Sequence, residues 1–318
     1  MIENNKIFVV VPAFNIGEPI VKFIASIPDF VDQIYLVDDN CPLKTGRILS
    51  ENLPLNKKID ILFNEKNLGV GGSVKRGYLA SIKSGADIVV KIDGDGQMDP
   101  NQIIKLINPI LKKFDYSKGN RFLENKLIKN YPVERFYGNM FLSFLTKFSS
   151  GYWDIYDPIN GFTAIDVKKL KELDFNQIDE GYYFESDMLF NLYLEKSTIK
   201  DVPVTIKYFK GQVQNLSVIK ESPNFLFKNL HRIYKRINVC YLSKNFGLPG
   251  LIFYIGLFSL LFSFFYGGVN WFYYSQIVNI NAPNGTVIFS AISLITGLFA
   301  IIYFLILDSN SNPNKKNV

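Results

Sequence analysis

The feature that most restricts how this chain can fold is a long stretch without charge. Between Lys244 and Asp308 the sequence contains no Asp, Glu, Lys or Arg, although charged residues make up 20% of the chain. The stretch contains two apolar runs, residues 248–274 and 286–307, and each is near the roughly 20 residues that a helix needs to cross the bilayer hydrocarbon. Two buried helices of a soluble core are the alternative, but such a core rarely contains so long a stretch without charge. The sequence therefore predicts two membrane-spanning helices.

The segment between the two runs, residues 275–285, contains the Asn, Pro and Gly residues of a polar turn. The two helices of residues 246–308 are therefore expected to form a hairpin. The turn carries no Lys or Arg, whereas the chain before the hairpin is rich in Lys and the tail contains Lys315 and Lys316. Because positively charged flanks remain in the cytoplasm, both termini are predicted to be cytoplasmic.

Residues 223–245, just before the first apolar run, have the pattern of an amphipathic helix at 100° per residue. The position next to a membrane span favours a helix that lies on anionic lipid headgroups, and a helix packed on a soluble domain is the alternative. The net charge of +6 fits the lipid interpretation, and no motif indicates nucleic-acid binding. Residues 309–318 are expected to form a disordered cytoplasmic tail. The expected apolar face consists of Leu226, Leu230, Ile233, Ile237 and Tyr241, and the basic face of Lys228, Arg232, Lys235 and Arg236.

Residues 1–222 alternate between strand-like and helical runs, which predicts an α/β domain with a largely parallel sheet. Residues 1–6 lead directly into the first strand-like run, so no signal peptide is expected and the domain should stay in the cytoplasm. Cys41 and Cys240 indicate neither a metal site nor a disulfide framework. The predicted strands are 7–11, 33–37, 59–63 and 87–92, and the predicted helices are 19–26, 45–51, 70–84 and 100–114.

The fourth strand-like run ends in two carboxylates, at Asp93 and Asp95. Residues i and i+2 of an extended segment point to the same side, and Gly94 and Gly96 let backbone and ligand approach closely. The two carboxylates can therefore converge on one hard cation, such as Mg²⁺ or Mn²⁺. Mg²⁺ is typically held by one or two carboxylates plus substrate phosphates. Taken alone, the stretch is also typical of a surface turn. Since ligands of α/β sheets collect at the carboxyl ends of strands, the four strand ends together predict one binding crevice.

Four short motifs stand at these strand ends. They are Val-Pro-Ala-Phe-Asn at 11–15, Val-Asp-Asp at 37–39, Asn-Leu-Gly-Val-Gly-Gly at 67–72 and Asp-Gly-Asp-Gly-Gln at 93–97. In this order the chain resembles the family 2 inverting glycosyltransferases with a GT-A fold. The branch that it resembles contains enzymes similar to dolichol-phosphate-mannose synthase, which move a sugar from a nucleotide to polyprenyl phosphate. The resemblance covers about residues 5 to 220 and implies a GT-A domain.

The resemblance implies a role for each motif. An Asp after the second strand holds the nucleoside in this family, which points to Asp39 with Asp38 close by, and the first motif frames the base. Asp93 and Asp95 would bind a Mg²⁺ or Mn²⁺ ion that bridges the diphosphate, with Gln97 as a third ligand or behind it. Such an ion neutralises charge on the leaving nucleotide. The residues expected to line the nucleotide-sugar site are Pro12, Ala13, Asn15, Asp38, Asp39, Asn67, Gly69 and Asp93.

Later segments resemble the acceptor side of the family. Arg121 and Arg135 match places where the family keeps basic residues near phosphates, and Asn139 shares a helix face with Arg135. An Arg fork binds phosphate bidentately. Glu185 or Asp187 would position the acceptor or act as base. Positioning is the preferred role, because a phosphate acceptor is already anionic.

Lys207 is expected to contact phosphate, but the loop that follows departs from the family's Ser-rich pattern, which leaves the role of that loop open. The Gln-x-x-Arg-Trp motif of processive polysaccharide synthases does not occur in the sequence, and two spans are too few for the channel of such enzymes. Processive synthesis is therefore not expected.

The resemblance implies a membrane-bound enzyme that transfers a sugar from a UDP- or GDP-sugar to polyprenyl phosphate at the cytoplasmic leaflet, for cell-envelope glycan or glycosylation pathways. One alternative is a lipid-linked saccharide or another membrane-bound acceptor, for which Glu185 or Asp187 would have to serve as base. A membrane scaffold without catalysis is a further alternative. Membrane lipids are expected partners, and a homo-oligomer is left open. The residues expected to carry the reaction are Asp95, Arg121, Arg135, Glu185 and Asp187.

Overall fold

The structure is a computed structural model that describes residues 2–54, 57–123, 133–206, 218–243 and 247–317. Within these ranges, only the backbone is described at 133–139, 218–222 and 316–317. Contacts between residues divide the chain into two compact units, of which the first ends at Leu230 and the second begins at His231.

A seven-stranded sheet forms the centre of the first unit. Its strands are β1 (Ile7–Ala13), β2 (Gln33–Asp38), β3 (Ile59–Phe63), β4 (Ile88–Lys91), β5 (Tyr116–Asn120), β6 (Thr163–Asp166) and β7 (Ile199–Pro203). The strand order is β3-β2-β1-β4-β6-β5-β7. Strands β1 to β4 are parallel, as the alternating pattern predicts, and β6 is antiparallel to both of its neighbours.

Helices cover the sheet and exclude water from its apolar strands. All seven residues of β1 are buried, as is typical of a parallel strand packed on both faces. Residues of α1 and α4 join this strand in one apolar core. The predicted α/β fold with a largely parallel sheet is confirmed. The helices of this unit are α1 (Pro19–Ala25), α2 (Thr45–Glu51), α3 (Gly69–Lys83), α4 (Ile103–Leu111), α5 (Val133–Ser150), α6 (Val167–Leu170) and α7 (Phe184–Leu194).

The antiparallel strand β6 determines which loops meet at the acidic motif. Lys91 of β4 pairs with Thr163 of β6, so the end of β4 lies beside the beginning of β6. Asp93, two residues after Lys91, therefore lies close to Gly161, two residues before Thr163. A parallel strand in this place would bring that loop to the opposite edge of the sheet.

The second unit contains the two predicted apolar helices, α9 (Leu248–Phe272) and α10 (Asn284–Asn310). They are about 38 and 40 Å long at 1.5 Å per residue, and both are long and apolar enough to cross a membrane. Most of their large apolar side chains are exposed. A π-helical turn, Tyr273–Ile277, continues the first of them.

Small residues let α9 and α10 approach each other closely. A Cβ atom on Gly256 would lie 3.0 Å from the Cβ of Ala300, and one on Gly297 would lie 2.7 Å from Leu260. Ser263 Oγ donates a hydrogen bond of 2.8 Å to the carbonyl oxygen of Ser290. Small residues and hydroxyl hydrogen bonds are typical of helices that pack together inside a membrane.

Helix α8 (Val218–Ile237), with the π-helical turn Asn238–Ser243 after it, takes the place of the predicted amphipathic helix at 223–245. The boundary between the compact units lies inside this helix rather than before residue 223.

One residue of the predicted basic face of α8 needs correction. On the predicted apolar face, Ile233, Ile237 and Tyr241 are buried, whereas Leu226 and Leu230 are 39% and 53% exposed. Arg236, placed on the basic face, is fully buried. Its guanidinium binds the Asp308 carboxylate, with Nη1 to Oδ1 at 2.6 Å and Nη2 to Oδ2 at 2.9 Å. Because Asp308 is far from Arg236 in the sequence, the helical period of α8 does not predict this ion pair.

The end of the chain, which the sequence predicts to be disordered, is described as far as residue 317. Helix α10 continues to Asn310, and a 3₁₀ turn, Pro313–Asn317, follows it. The Oδ1 of Asn312 accepts a hydrogen bond from the Asn314 amide at 3.1 Å and so caps this turn. Side-chain capping of this kind supplies a local structure that the polar composition does not reveal.

Candidate active site

The acidic motif follows β4 and turns at Gly96, which has a positive φ of 78°. Asp95 Oδ1 accepts a hydrogen bond of 3.0 Å from the Gln97 amide. Loss of hydration, and after it the neighbouring Asp93 carboxylate, raises the pKa of Asp95 to about 6. Two carboxylates that repel each other in this way fit a cation between them.

Within the part of the chain that the structure describes, no group of three or more His, Cys, Asp and Glu side chains could hold a metal ion. A divalent ion at this place would thus have Asp93 and Asp95 as its protein carboxylates, and other oxygen atoms would have to complete its coordination. This donor set fits Mg²⁺, which is commonly bound through one or two carboxylates plus substrate phosphates. The assignment of Asp93, Asp95 and Gln97 as ligands stays a prediction.

A buried chain of charges lies behind Asp93. Lys91 Nζ is 2.9 Å from Asp93 Oδ1 and 2.5 Å from Glu185 Oε1. Lys118 Nζ is 3.8 Å from the other oxygen of Glu185 and donates a 2.6 Å hydrogen bond to the Asn160 carbonyl oxygen. Burial alone would lower the pKa of Lys91, but Asp93 and Glu185 outweigh it and raise this pKa above its usual value. Lys91 is therefore a charged ammonium group inside the protein.

Gly161 lies directly against this chain of charges. A Cβ atom on Gly161 would lie 2.4 Å from Lys91 Nζ and 2.6 Å from Asp93 Oδ2. Any larger residue at this position would therefore displace the ammonium group or the carboxylate. Lys91, Lys118 and Gly161 were not among the residues expected at the site. The signal for Lys91 was a single Lys inside an otherwise apolar strand.

The predicted phosphate ligand Arg121 is held by a carboxylate. Its Nε and Nη2 donate to Oδ2 and Oδ1 of Asp157 at 2.7 and 2.8 Å. Asp157 is 1% exposed, whereas the Arg121 side chain is 19% exposed. A bidentate pair fixes the plane of a guanidinium, so Asp157 determines the direction in which Arg121 faces solvent.

Asp38 and Asp39, which are predicted to bind the nucleoside, are both buried and accept backbone hydrogen bonds. Asp38 accepts from the amides of Cys41 and Gly46 at 2.7 and 2.6 Å. Asp39 accepts from the amides of Leu68 and Gly69 at 2.8 and 2.9 Å. Amides at helix N-termini are the groups that carboxylates stabilise. In this structure both carboxylates hold the loops of the crevice in place.

The first motif lies at the end of β1. Pro12 and Ala13 are buried, and the Ala13 carbonyl oxygen accepts a hydrogen bond from the Asp39 amide at 3.0 Å. Asn15 is exposed, has a positive φ of 57°, and donates its amide to Cys41 Sγ at 3.1 Å. The ends of β1 and β2 are thereby joined, and Asn15 faces solvent beside them. Contact of these residues with a nucleotide stays a prediction.

The glycine-rich motif packs against residues 179–181 of the same chain. The Gly69 amide also lies 3.0 Å from Oδ1 of the exposed Asn67. A Cβ atom on Gly71 would lie 2.5 Å from the carbonyl oxygen of Asp179, and the Gly72 amide donates to the carbonyl oxygen of Glu180 at 2.9 Å. Asn67 and Gly69 were predicted to bind the nucleotide, and that role remains untested. The geometry shows that these glycines let α3 pack closely on residues 179–181.

We expect Gly71→Ala to lower the free energy of unfolding by about 1 to 3 kcal/mol, as overpacking usually does. The reason is that the new methyl group meets a backbone oxygen, which cannot rotate away. Thermal unfolding of the solubilised full chain measures the effect. Gly268→Ala is the matched control, because no atom lies within 4 Å of its added Cβ. Equal stability of the two variants would contradict the packing described for α3.

Of the remaining predicted residues, the structure brings Glu185 next to the acidic motif, through Lys91. Glu185 is 6% exposed, and Asp187 is fully buried and accepts the Asp179 amide through Oδ2 at 2.8 Å. Arg135 and Asn139 lie on α5, where only the backbone is described. Lys207 lies outside the described residues. Neither Glu185 nor Asp187 is exposed to an approaching acceptor.

Stability should depend on pH through Asp201. Burial is the main cause that raises the pKa of Asp201 to about 6, and its Oδ2 accepts from Asn120 Nδ2 at 2.6 Å and from the Tyr156 amide at 2.9 Å. An acid with a raised folded pKa stabilises the fold below its unfolded pKa, near 4, and this contribution is lost as the pH rises through about 6. We expect the free energy of unfolding of wild type to fall by up to about 3 kcal/mol relative to Asp201→Asn between about pH 4 and 7. Thermal unfolding of both proteins at the two pH values is the measurement, and parallel behaviour would contradict it.

The sequence is similar to a known protein family and to individual proteins. The model of a family described as Glycosyl transferase family 2 matches residues 8–174. The UDP-N-acetylglucosamine–dolichyl-phosphate N-acetylglucosaminyltransferase of Methanococcus voltae is 31% identical over 216 residues, which are 64% of this chain and 86% of that protein. The polyprenol monophosphomannose synthase of Mycolicibacterium smegmatis is 22% identical, over 62% of this chain and 76% of that protein.

Solved structures agree in fold. The glucosyl-3-phosphoglycerate synthase of Mycobacterium tuberculosis, in complex with Mn²⁺, UDP and glucosyl-3-phosphoglycerate, superimposes with a TM-score of 0.53. The alignment covers 73% of this chain and 80% of that chain at 18% identity. At this identity the likeness is one of fold.

Proposed function

Because the chain belongs to glycosyl transferase family 2 and is a glycosyltransferase, we propose that it transfers a sugar from a UDP- or GDP-sugar to polyprenyl phosphate, with inversion at the anomeric carbon. Two relatives named for dolichyl phosphate and for polyprenol monophosphate support the acceptor. The structural relative bound to UDP and Mn²⁺ supports a nucleotide donor and a divalent ion.

The donor diphosphate would lie at the end of β4. Asp93 and Asp95 would hold a divalent ion there, and the ion would offset the negative charge of the leaving nucleotide. Arg121, oriented by Asp157, would donate to a phosphate oxygen at the same edge of the sheet. Pro12, Asn15 and the loops held by Asp38 and Asp39 would form the nucleoside end of the crevice.

The burial of Glu185 and Asp187 is the observation that carries the choice of acceptor. A sugar hydroxyl needs a general base within hydrogen-bonding reach of its proton. Glu185 is paired with Lys91, and Asp187 accepts a backbone amide inside the protein. A phosphate monoester is already anionic and can attack the anomeric carbon without a base. The site therefore favours polyprenyl phosphate over a saccharide acceptor.

The membrane arrangement belongs to the same proposal. Helices α9 and α10 cross the bilayer as a hairpin, with the catalytic domain and the C-terminus in the cytoplasm, and the exposed Leu226, Phe227 and Leu230 of α8 face lipid headgroups. With both native cysteines replaced by Ser, a membrane-impermeant thiol reagent added to intact cells should label an Asn281→Cys variant and not a Ser309→Cys variant. The reverse labelling would refute this topology.

The enzymatic proposal can be tested with membranes that contain the full chain. We would supply a panel of UDP- and GDP-sugars with labelled sugar, together with undecaprenyl or dolichyl phosphate, and follow the label into the organic phase. One donor is expected to label the lipid, and the free polyprenol without phosphate should remain unlabelled. The anomeric configuration of the product should be opposite to that of the donor.

Absence of labelled lipid with every donor would overturn the proposal. Transfer to a lipid-linked saccharide in place of polyprenyl phosphate would overturn the acceptor only, and would require a base other than the buried Glu185.

A further inference from the structure

Lys91 and Glu185 form a buried ion pair that touches the acidic motif from inside the protein. Lys91 is 1% exposed in the middle of the sheet, and Glu185 comes from the first turn of α7. The two residues are 94 positions apart in the sequence. Burial of one unpaired charge is strongly unfavourable, so the two side chains depend on each other. The pair connects the helix on the predicted acceptor side with the strand that carries Asp93.

Asp93 forms an ion pair with the ammonium group of Lys91. Lys91 Nζ is 2.9 Å from Oδ1, and Gly161 lies against both Nζ and Oδ2. The ammonium group thus attracts the Asp93 carboxylate from inside the protein. The same positive charge would repel a divalent ion bound a few ångströms away unless a negative charge offset it.

We propose that Lys91 and Glu185 are positioning residues for the metal-binding corner, in which Lys91 orients Asp93 and Glu185 offsets the lysine's charge so that a divalent cation can bind. This inference rests on the proposed binding of a divalent ion by Asp93 and Asp95. It assigns Glu185 a role that reaches the substrates only through Lys91 and Asp93. Neither residue is then a catalytic residue.

Three observations support the assignment over a purely structural ion pair. The pair includes a third member, Asp93, which is itself partly exposed in the crevice, with its side chain 33% exposed. Gly161 leaves room for the ammonium group at the one place where a Cβ would collide with it. Lys118 lies 3.8 Å from Glu185 Oε2, so the carboxylate stays within a positive environment inside the fold.

The test compares Mn²⁺ binding by the solubilised full chain in three forms: wild type, Glu185→Gln, and the double variant Lys91→Met with Glu185→Gln. The electron paramagnetic resonance signal of free Mn²⁺ reports the affinity without any turnover. Gln keeps the shape of Glu185 but leaves the charge of Lys91 to be offset by Asp93, a proposed metal ligand, so Mn²⁺ should bind about tenfold more weakly. The double variant removes both charges and should recover most of that loss.

The matched controls are Lys169→Met and Glu172→Gln, which change an ion pair of 2.6 Å on the surface. Neither control should alter Mn²⁺ affinity. Thermal unfolding of every variant shows that the protein measured is folded. A loss of Mn²⁺ affinity in a variant that unfolds at the temperature of wild type is a result that a merely structural role would not produce.

Two results would overturn the inference: a Glu185→Gln affinity within threefold of wild type, or a double variant that binds as weakly as Glu185→Gln. A Glu185→Gln variant that loses transfer activity but keeps its Mn²⁺ affinity belongs to the first of these and would identify Glu185 as a residue acting on the acceptor. If wild type itself binds no Mn²⁺, the proposed metal corner fails and the inference fails with it. The wild-type measurement therefore separates the two failures.

Discussion

Replacement of Asp95 by Asn is expected to lower the rate of sugar transfer by about 100- to 1000-fold, the range typical for removal of one group that stabilises developing charge. Asp95 lies after β4, on the turn that Gly96 completes, and its proposed partner in holding the divalent ion is Asp93. Without one carboxylate, the ion that offsets the charge of the leaving nucleotide is held by a single protein charge. The loss should appear both in the transfer rate and in Mn²⁺ affinity.

Labelled-sugar transfer to polyprenyl phosphate and Mn²⁺ titration measure the two effects. The matched control is Asp99→Asn in the same segment. Asp99 accepts the Asn101 amide at 3.0 Å and caps the 3₁₀ turn Pro100–Gln102, and Asn is as good a cap as Asp. A variant Asp95→Asn that transfers sugar as fast as the Asp99→Asn variant would remove the acidic motif from the proposed reaction.

Replacement of Arg236 by Met is expected to have the largest effect on stability, a loss of about 3 to 5 kcal/mol, as when one partner of a buried pair is removed. Arg236 and Asp308 are both fully buried and form two hydrogen bonds. Tyr241 donates its hydroxyl to the same Asp308 oxygen at 2.6 Å. Without the guanidinium, Asp308 would remain as a buried carboxylate that has lost this cationic partner.

Thermal unfolding of the solubilised full chain is the measurement. The double variant Arg236→Met with Asp308→Leu should recover a large part of the loss, since an apolar pair of similar volume is often as stable as a buried ion pair. Arg47→Met, on an exposed position of α2, serves as the control for loss of an Arg side chain. An unfolding temperature of the single variant equal to that of the control would contradict the role of the ion pair.

The parts of the fold that could be predicted from the sequence are those with a strong local pattern. The apolar runs of β1 to β4 and the long stretch without charge in α9 and α10 predicted the positions of these elements within a few residues. Strand β5 has the sequence Tyr-Ser-Lys-Gly-Asn and is buried throughout. Its polar residues do not form the alternating apolar pattern that predicts a strand. Tertiary contacts rather than composition make this segment a strand.

The candidate site, too, could be predicted only in part. The motifs after β1, β2, β3 and β4 could be placed in one crevice, because the ends of neighbouring parallel strands meet at one edge. The partners of those motifs could not be predicted. Lys91 pairs with Glu185, and Arg121 pairs with Asp157. Both pairings depend on which distant segments the sheet brings together, and one sequence alone does not predict such contacts.

The antiparallel strand β6 has a consequence for how enzymes of this architecture can diversify. The chain leaves the sheet at Asn120 and returns at Thr163 on the neighbouring strand, close to where it left. Because the sheet holds the two ends of this excursion side by side, insertions or deletions between them leave the register of the strands unchanged. Recognition of a new acceptor could therefore arise by changes in length between these two points, while the half of the sheet that carries the four strand-end motifs is inherited intact.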